Sequence, residues 1–350
     1  MRTKVLVLYT GGTIGAVPEV PDHSAGPLRP AGKERLRPYI PNPLGGIAWD
    51  IIGLTDENGA PVPPLDSASV GPKQWLWMAR AIERHYPEYD GFVILHGTDT
   101  MAYTGSALSF LLENLAKPVV MTGSQLPIFQ TDTDAVINFT NALRVAGYKA
   151  TGLPRVPEVT IAFADRLLRA NRATKISTIN RRGFDSFNLP PLGSFGEHVS
   201  INTELIRKTP EPGQYPFFVY PKLDSRMMPF SIFPGMRTEH LKSILDLSDI
   251  KGFVLLTFGS GNAPDDTDFL RVVSDAVRAG KTIVNVTQCL EGKVEMGRYT
   301  TGSGLQAAGV ISGRDMTFEA ALTKLMWLSG NPENGDMAAE MLVDRRGELS

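Results

Sequence analysis

Val5-Leu6-Val7-Leu8-Tyr9-Thr10-Gly11-Gly12-Thr13-Ile14-Gly15 is an apolar run that stops at a Thr-Gly-Gly-Thr turn. An unbroken apolar run predicts a strand covered on both faces, as in parallel sheets. In open parallel sheets, functional groups gather just beyond the carboxyl ends of the strands. Glycine lets backbone come close to a ligand there, and threonine brings a hydroxyl. The same residues also fit a plain turn whose threonines satisfy local backbone. The rest of the chain has to separate the two readings.

The pattern recurs. Gly91-Phe92-Val93-Ile94-Leu95 is a second buried run, and it ends in His96-Gly97-Thr98-Asp99-Thr100. Pro118-Val119-Val120-Met121 ends in Thr122-Gly123-Ser124-Gln125, and Val159 to Phe163 reads as a fourth strand. Between these runs, residues 73–86, 101–115 and 134–146 carry helical apolar spacing. Strand, polar turn and helix in repetition predict an α/β fold with a mostly parallel sheet. Residues 16–72 are rich in Pro, Gly and Asp and read mainly as loop, with a short strand at 49–54. Residues 166–187 are basic and polar, with Asn171-Arg172-Ala173-Thr174-Lys175 at their centre. Residues 209–234 hold six prolines, which places a linker at 209–229 between domains at 1–208 and 230–350. The second half resumes the grammar with helices at 238–247, 265–279 and 318–328 and strands at 252–258 and 282–286.

The length of 350 residues suits two domains. Charged residues make up 21%, 35 basic against 37 acidic, with no basic stripe for nucleic acid and no polybasic block for a membrane surface. The one cysteine, Cys289, excludes an intramolecular disulfide and fits a reducing compartment. The first apolar run is shorter than a secretion signal requires, and no stretch is long enough to span a bilayer. These features predict a cytoplasmic protein of enzyme size.

The five histidines, His23, His85, His96, His198 and His240, are scattered, so no zinc spacing exists and no metal is expected. No phosphate loop occurs, and Gly11-Gly12-Thr13-Ile14-Gly15 lacks dinucleotide spacing. No G-x-S-x-G elbow is present. What remains is Thr13 and Thr98 in glycine turns, Asp99 beside Thr98, and Lys175 in a later polar stretch. A threonine hydroxyl needs a base, and a lysine can serve if its surroundings lower its pKa. Spacing permits a Thr–Lys–Asp relay without requiring one. Asp99 fits equally well as a helix cap, and Lys175 as a solvated charge.

Thr10-Gly11-Gly12-Thr13-Ile14-Gly15 and His96-Gly97-Thr98-Asp99-Thr100-Met101 resemble the two signatures of the bacterial-type L-asparaginase family. The second is closest to its cytoplasmic (type I) branch through Ala102-Tyr103-Thr104. Met121 to Gln125, Asn171 to Lys175, Gly261-Asn262-Ala263-Pro264 and Thr287 to Val294 match further motifs in family order. The resemblance implies two α/β domains: a larger N-terminal one with a mostly parallel sheet and a smaller, flavodoxin-like C-terminal one. It implies hydrolysis of L-asparagine to L-aspartate and ammonia without a cofactor. The implied assembly is a homotetramer built as a dimer of dimers, or a homodimer.

Carried onto this chain, the resemblance makes Thr13 the nucleophile and groups Thr98, Asp99 and Lys175 as the second catalytic set. Asp66, Ser67, Thr98 and Asp99 would bind substrate, with Asp66 and Ser67 at its α-carboxylate end and Asp99 at its α-amino group. Two departures stand out. The catalytic tyrosine that many members carry on the loop after the first signature is missing, because Pro27-Leu28 stand near its place and Tyr39 lies too far on. Tyr299 matches the tyrosine that some cytoplasmic members supply from a neighbouring subunit. Cys289 and Thr174 match parts of an allosteric asparagine site, but Leu256 stands in place of its arginine, which argues against cooperativity. Three other readings are a glutaminase-leaning enzyme, an inactive amino-acid-binding relative and the asparaginase-like subunit of a tRNA-dependent amidotransferase. The first signature begins at residue 10, whereas that subunit usually has an extra domain before it.

Overall fold

A computed structural model describes residues 2–18, 28–40, 42, 44–209, 211, 213–297 and 300–350, with 300 and 301 as backbone alone. The chain divides into two compact units, Met1–Tyr220 and Pro221–Ser350.

In the first unit, β1 (Thr3–Tyr9) buries every residue except Lys4. It lies parallel between β2 (Ile47–Gly53) and β3 (Gly91–Leu95). The sheet continues in parallel through β4 (Val119–Thr122) to β5 (Val159–Phe163). It then runs antiparallel through β6 (Arg166–Arg169), β7 (Gly193–Phe195) and β8 (Val199–Ile201). The eight strands therefore stand in the order β8-β7-β6-β5-β4-β3-β1-β2. Helices α1 (Pro72–His85), α2 (Met101–Leu111) and α3 (Ala135–Ala146) follow β2, β3 and β4. On one face Val5, Val7 and Tyr9 join Val93, Leu95, Val120 and the α3 residues Phe139 and Leu143 in a single core. Each such side chain contributes about 1.5–3 kcal/mol by leaving water. That driving force holds the strand ends in register.

Two features depart from the expected pattern. The stretch read as basic and polar, residues 166–187, opens with an antiparallel strand of the main sheet, and two more such strands follow it by residue 201. Charge at the ends of Arg-Leu-Leu-Arg disguises β6. Arg169 is nonetheless buried, because its guanidinium pairs with the buried carboxylate of Glu158 at 2.5 Å. The stretch placed as a linker at 209–229 also carries structure. Phe218–Val219 pairs with Leu112–Glu113 in the first unit, and β9 (Met227–Ser231) is a strand of the second. Pro229 is tolerated in β9 because that strand is an edge, where one missing N–H is not needed.

The second unit has a four-stranded, wholly parallel sheet in sequence order: β9, β10 (Gly252–Thr257), β11 (Thr282–Thr287) and β12 (Ile311–Ser312). Its helices include α4 (Thr238–Leu245), α5 (Thr267–Arg278) and α6 (Phe318–Gly330), with further helical segments at Thr300–Ala307 and Met337–Met341. Among the described residues no helix is long and apolar enough to cross a membrane.

The C-terminal segment is pinned by a fully buried ion pair, Lys324 Nζ to Glu348 Oε1 at 2.5 Å. The same ammonium donates to the Met341 and Val343 carbonyls, and Glu348 accepts the Arg345 and Arg346 backbone N–H groups. Removing one charge strands the other without water. Lys324→Met is expected to lower the unfolding free energy by about 3–5 kcal/mol. Chemical denaturation followed by circular dichroism checks this, and a loss under about 1 kcal/mol would contradict it.

Candidate active site

Parallel pairing sets the two glycine turns side by side. Tyr9, the last residue of β1, is in register with Leu95, the last of β3. Both chains therefore leave the sheet at the same carboxyl edge. The strand order β2-β1-β3-β4 changes direction between β1 and β3, and such a switch point leaves a crevice for ligands. The Thr10 amide and hydroxyl both donate to the Leu95 carbonyl, at 3.0 and 2.9 Å.

Glycine is required in the first turn. Gly11 and Gly12 have φ of 122° and 82°, values that favour glycine. A Cβ on Gly11 would lie 2.2 Å from the Leu65 carbonyl oxygen, and one on Gly12 would lie 2.3 Å from the Gly97 nitrogen. Three backbones thus meet with no room for side chains: the first turn, the segment around Leu65 and the second turn. Hydrogen bonds from Gly12 N–H to Leu65 O (2.9 Å) and from Leu65 N–H to Thr10 O (2.8 Å) lock them together.

This junction delivers the expected residues to one cleft. Thr13, Asp66, Ser67, Thr98, Asp99 and Lys175 all line a cavity of about 260 Å³ in the first unit. That is space for a small, polar molecule. Lys175 reaches it from a short ladder, Thr174–Lys175 against Phe184–Asp185. Its Nζ donates to Thr98 Oγ1 at 2.9 Å and meets Asp99 Oδ1 at 2.5 Å. Thr98 is buried, whereas the Asp99 side chain is 61% exposed. The carboxylate therefore remains open to a ligand cation. Among the described residues the Thr13 hydroxyl has no hydrogen-bond partner.

Ser67 lies directly beneath Gly97, where a Cβ would fall 2.6 Å from Ser67 Oγ. Its hydroxyl oxygen accepts the Asp99 N–H at 3.2 Å, so its hydrogen stays available to a ligand. The Thr100 hydroxyl donates to the Ser67 carbonyl at 2.7 Å and fixes the segment. Asp66 caps the Ser67–Ser69 turn by accepting the Ala68 N–H at 2.9 Å. An ionised carboxylate accepts only, so the Asp66 side chain suits a substrate ammonium better than a carboxylate.

Several wall residues carried no role in the sequence reading. Gln125 spends its amide on the Asn180 carbonyl at 2.8 Å and so holds the segment that brings Thr178 to the cleft. Ala16, Leu28 and Pro30 come from the antiparallel stem Ala16–Pro18 with Leu28–Pro30. The Tyr9 hydroxyl anchors that stem by donating to the Ala31 carbonyl at 2.8 Å, and burial pushes its pKa well above the ordinary tyrosine range. Gln125 belonged to a quoted motif, but its use of the side-chain amide for a distant carbonyl has no sequence signal. Tyr299 lies outside the described residues.

His96, between β3 and the Gly97–Thr98 turn, is completely buried and its pKa is pushed down to about 4 by desolvation. It is therefore neutral when folded. Between its unfolded value near 6.5 and about 4, the unfolded chain binds a proton that the folded chain refuses. Stability then falls as pH drops through that window, by about 3 kcal/mol in total. His96→Asn should flatten this part of the stability–pH curve. Urea titrations from pH 7 to 4.5 that give equal slopes for both proteins would contradict it.

Comparison with known proteins places these features in context. Residues 4–207 match the family model for the asparaginase N-terminal domain, and residues 227–342 match that for the glutaminase/asparaginase C-terminal domain. L-asparaginase 1 of Escherichia coli K12 is 40% identical over 365 residues, which cover 100% of this chain and 98% of that protein. The L-asparaginase of Thermococcus kodakarensis is 35% identical, covering 94% of this chain and 93% of the relative. The crystal structure of L-asparaginase I from Vibrio cholerae superposes with a TM-score of 0.83 at 38% identity, with full coverage of both chains.

Proposed function

The chain belongs to the asparaginase family, and from that premise we infer that it hydrolyses L-asparagine to L-aspartate and ammonia through a threonine nucleophile. The observation that carries the mechanism is Lys175 Nζ bridging Thr98 Oγ1 and Asp99 on the cleft that Thr13 also lines.

In this reading Asp99 holds the substrate α-ammonium, helped by Asp66. The Ser67 hydroxyl and nearby backbone N–H groups hold the α-carboxylate. Thr13 Oγ1 attacks the side-chain amide carbon, and its proton passes to a base. Charge on the carbonyl oxygen is met by backbone N–H near Thr98. The C–N bond breaks as Lys175, through the Thr98 hydroxyl, donates a proton to the leaving nitrogen. Ammonia departs, leaving an aspartyl ester on Thr13 and a neutral Lys175. Water then attacks the ester and loses a proton back through Thr98 to Lys175. The Thr13 oxygen recovers its own proton from the base. The pair thus acts as acid and then as base, and no external cofactor enters the balance.

Tyr299 is the base that this reading assigns to Thr13, supplied by a neighbouring subunit. The match of Gly297-Arg298-Tyr299-Thr300-Thr301-Gly302 to that position supports it. The active form is then a homo-oligomer, a tetramer of paired dimers or a dimer, and a single exposed thiol at Cys289 fits a cytoplasmic setting. Tyr299→Phe should lower kcat about 10²-fold or more. Mixed with inactive Thr13→Val protein after subunit exchange, it should recover activity, because some sites then have both hydroxyls. No recovery would contradict supply across subunits.

The function itself is tested by ammonia release from L-asparagine and L-glutamine with purified protein. Asparagine is expected to be the better substrate, by about 10–200-fold, the discrimination one methylene allows in a fitted pocket. No release from either amide by folded oligomer would sink the hydrolase reading.

A further inference from the structure

A chain of hydrogen bonds runs from α1 to the peptide that precedes Thr98. Trp75 Nε1–H donates to Thr104 Oγ1 at 2.9 Å, Thr104 Oγ1 contacts His96 Nε2 at 3.0 Å, and His96 Nδ1 lies 2.7 Å from the Gly97 carbonyl oxygen. His96 and Thr104 are fully buried, and Trp75 nearly so.

The direction of each bond is forced. A carbonyl oxygen can only accept, so Nδ1 must carry the proton. A neutral ring then leaves Nε2 as acceptor, and the Thr104 hydroxyl must donate to it. Trp75 has only an N–H to give, and Thr104 Oγ1 takes it. Each bond of the relay thus has one sense that works, with Thr104 Oγ1 accepting from Trp75 and donating to His96.

The consequence reaches the cleft. In a trans peptide the C=O of one residue and the N–H of the next point in opposite directions. His96 holds the Gly97 carbonyl inward, so the Thr98 N–H turns outward, on the side where Gly97 and Thr98 line the cavity. That N–H has no acceptor among the described residues. Gly12 and Ser67 also pack against Gly97, whose Cβ would lie 3.2 Å from Gly12 Cα and 2.6 Å from Ser67 Oγ.

We propose that His96, backed by Thr104 and Trp75, is the positioning residue for the oxyanion donor: it orients the Gly97–Thr98 peptide so that the Thr98 N–H meets the oxygen of the tetrahedral intermediate. The proposal rests on the hydrolase reading above and adds a residue that touches neither substrate nor reacting atoms. Oxyanion contacts strengthen as charge develops, so the effect belongs in kcat and not in ground-state binding.

The test uses full-length oligomer and three variants. His96→Leu should lower kcat for L-asparagine about 10²-fold, while the Kd for L-aspartate moves by less than about threefold. His96→Asn, whose amide can still donate to the Gly97 carbonyl, should recover most of the loss. Thr104→Val should lower kcat about tenfold, since the ring loses the partner that fixes its tautomer. Nitrogen-15 shifts of histidine-labelled wild type should show one buried ring protonated at Nδ1 and not at Nε2.

If His96→Leu does not fold, the Asn and Val variants and the tautomer decide. The proposal is overturned by a kcat in His96→Leu or Thr104→Val within about threefold of wild type, by an Nε2-protonated ring, or by a kcat loss matched by equal loss of aspartate binding. Wild-type protein that releases no ammonia overturns the hydrolase reading and this proposal together. Wild-type activity kept by His96→Leu overturns this proposal alone.

Discussion

Thr13→Val is expected to lower kcat for L-asparagine by at least about 10³-fold while the Kd for L-aspartate changes by less than about threefold. Valine keeps the shape of threonine and removes only the hydroxyl. The hydroxyl has no hydrogen-bond partner among the described residues, so its loss should alter stability by less than about 0.5 kcal/mol. A large effect on turnover with almost none on folding is what a nucleophile predicts. Thr98→Val should also be slow but for another reason. Both the departure of ammonia and the water step then lack the relay to Lys175, so turnover should fall in each half-reaction. A Thr13→Val protein retaining kcat within about tenfold would move the nucleophile elsewhere.

Lys175→Met should lower kcat by about 10²–10⁴-fold, the usual worth of a positioned proton donor and acceptor. Methionine keeps the apolar stem and loses the group that reaches Thr98 Oγ1 and Asp99 Oδ1. The stability cost should stay below about 1 kcal/mol, because the Asp99 side chain is largely in water and its pairing is screened. Lys175→Arg should not rescue turnover. A guanidinium can hold the same contacts but cannot release a proton at working pH. Stopped assays of ammonia release alongside thermal melts separate the two effects. Activity in the arginine variant near that of wild type would show that the charge, not proton transfer, is what the site needs.

Much of the machinery is legible locally. An apolar run ending in Gly-Gly announces both a buried strand and a turn with positive φ, because only glycine tolerates that conformation beside crowded backbone. Motif identity then names Thr13, Thr98, Asp99 and Lys175 as a group. The antiparallel extension of the sheet was harder to read. Arg-Leu-Leu-Arg looks solvated until Glu158, eleven residues away, neutralises Arg169 inside the protein. The edge strand at Met227–Ser231 hides behind Pro229, which an edge accepts and a central strand would not. The role of Ser67 also shifted in detail. Its oxygen serves the Asp99 backbone, and only its hydrogen is left for a ligand.

By itself, the sequence determined the strand-and-turn units, the two-domain α/β class and the family, because these rest on short-range apolar spacing, on glycine and on motif order. Tertiary structure alone decided that the turn after β1 sits against both the segment around Leu65, which follows β2, and the turn after β3. It also decided that Lys175 reaches Thr98 across 77 residues, and that His96 spends both ring nitrogens inside the fold. The physical reason is that such contacts are fixed by parallel register and shared burial, and neither is encoded in the spacing of any single stretch.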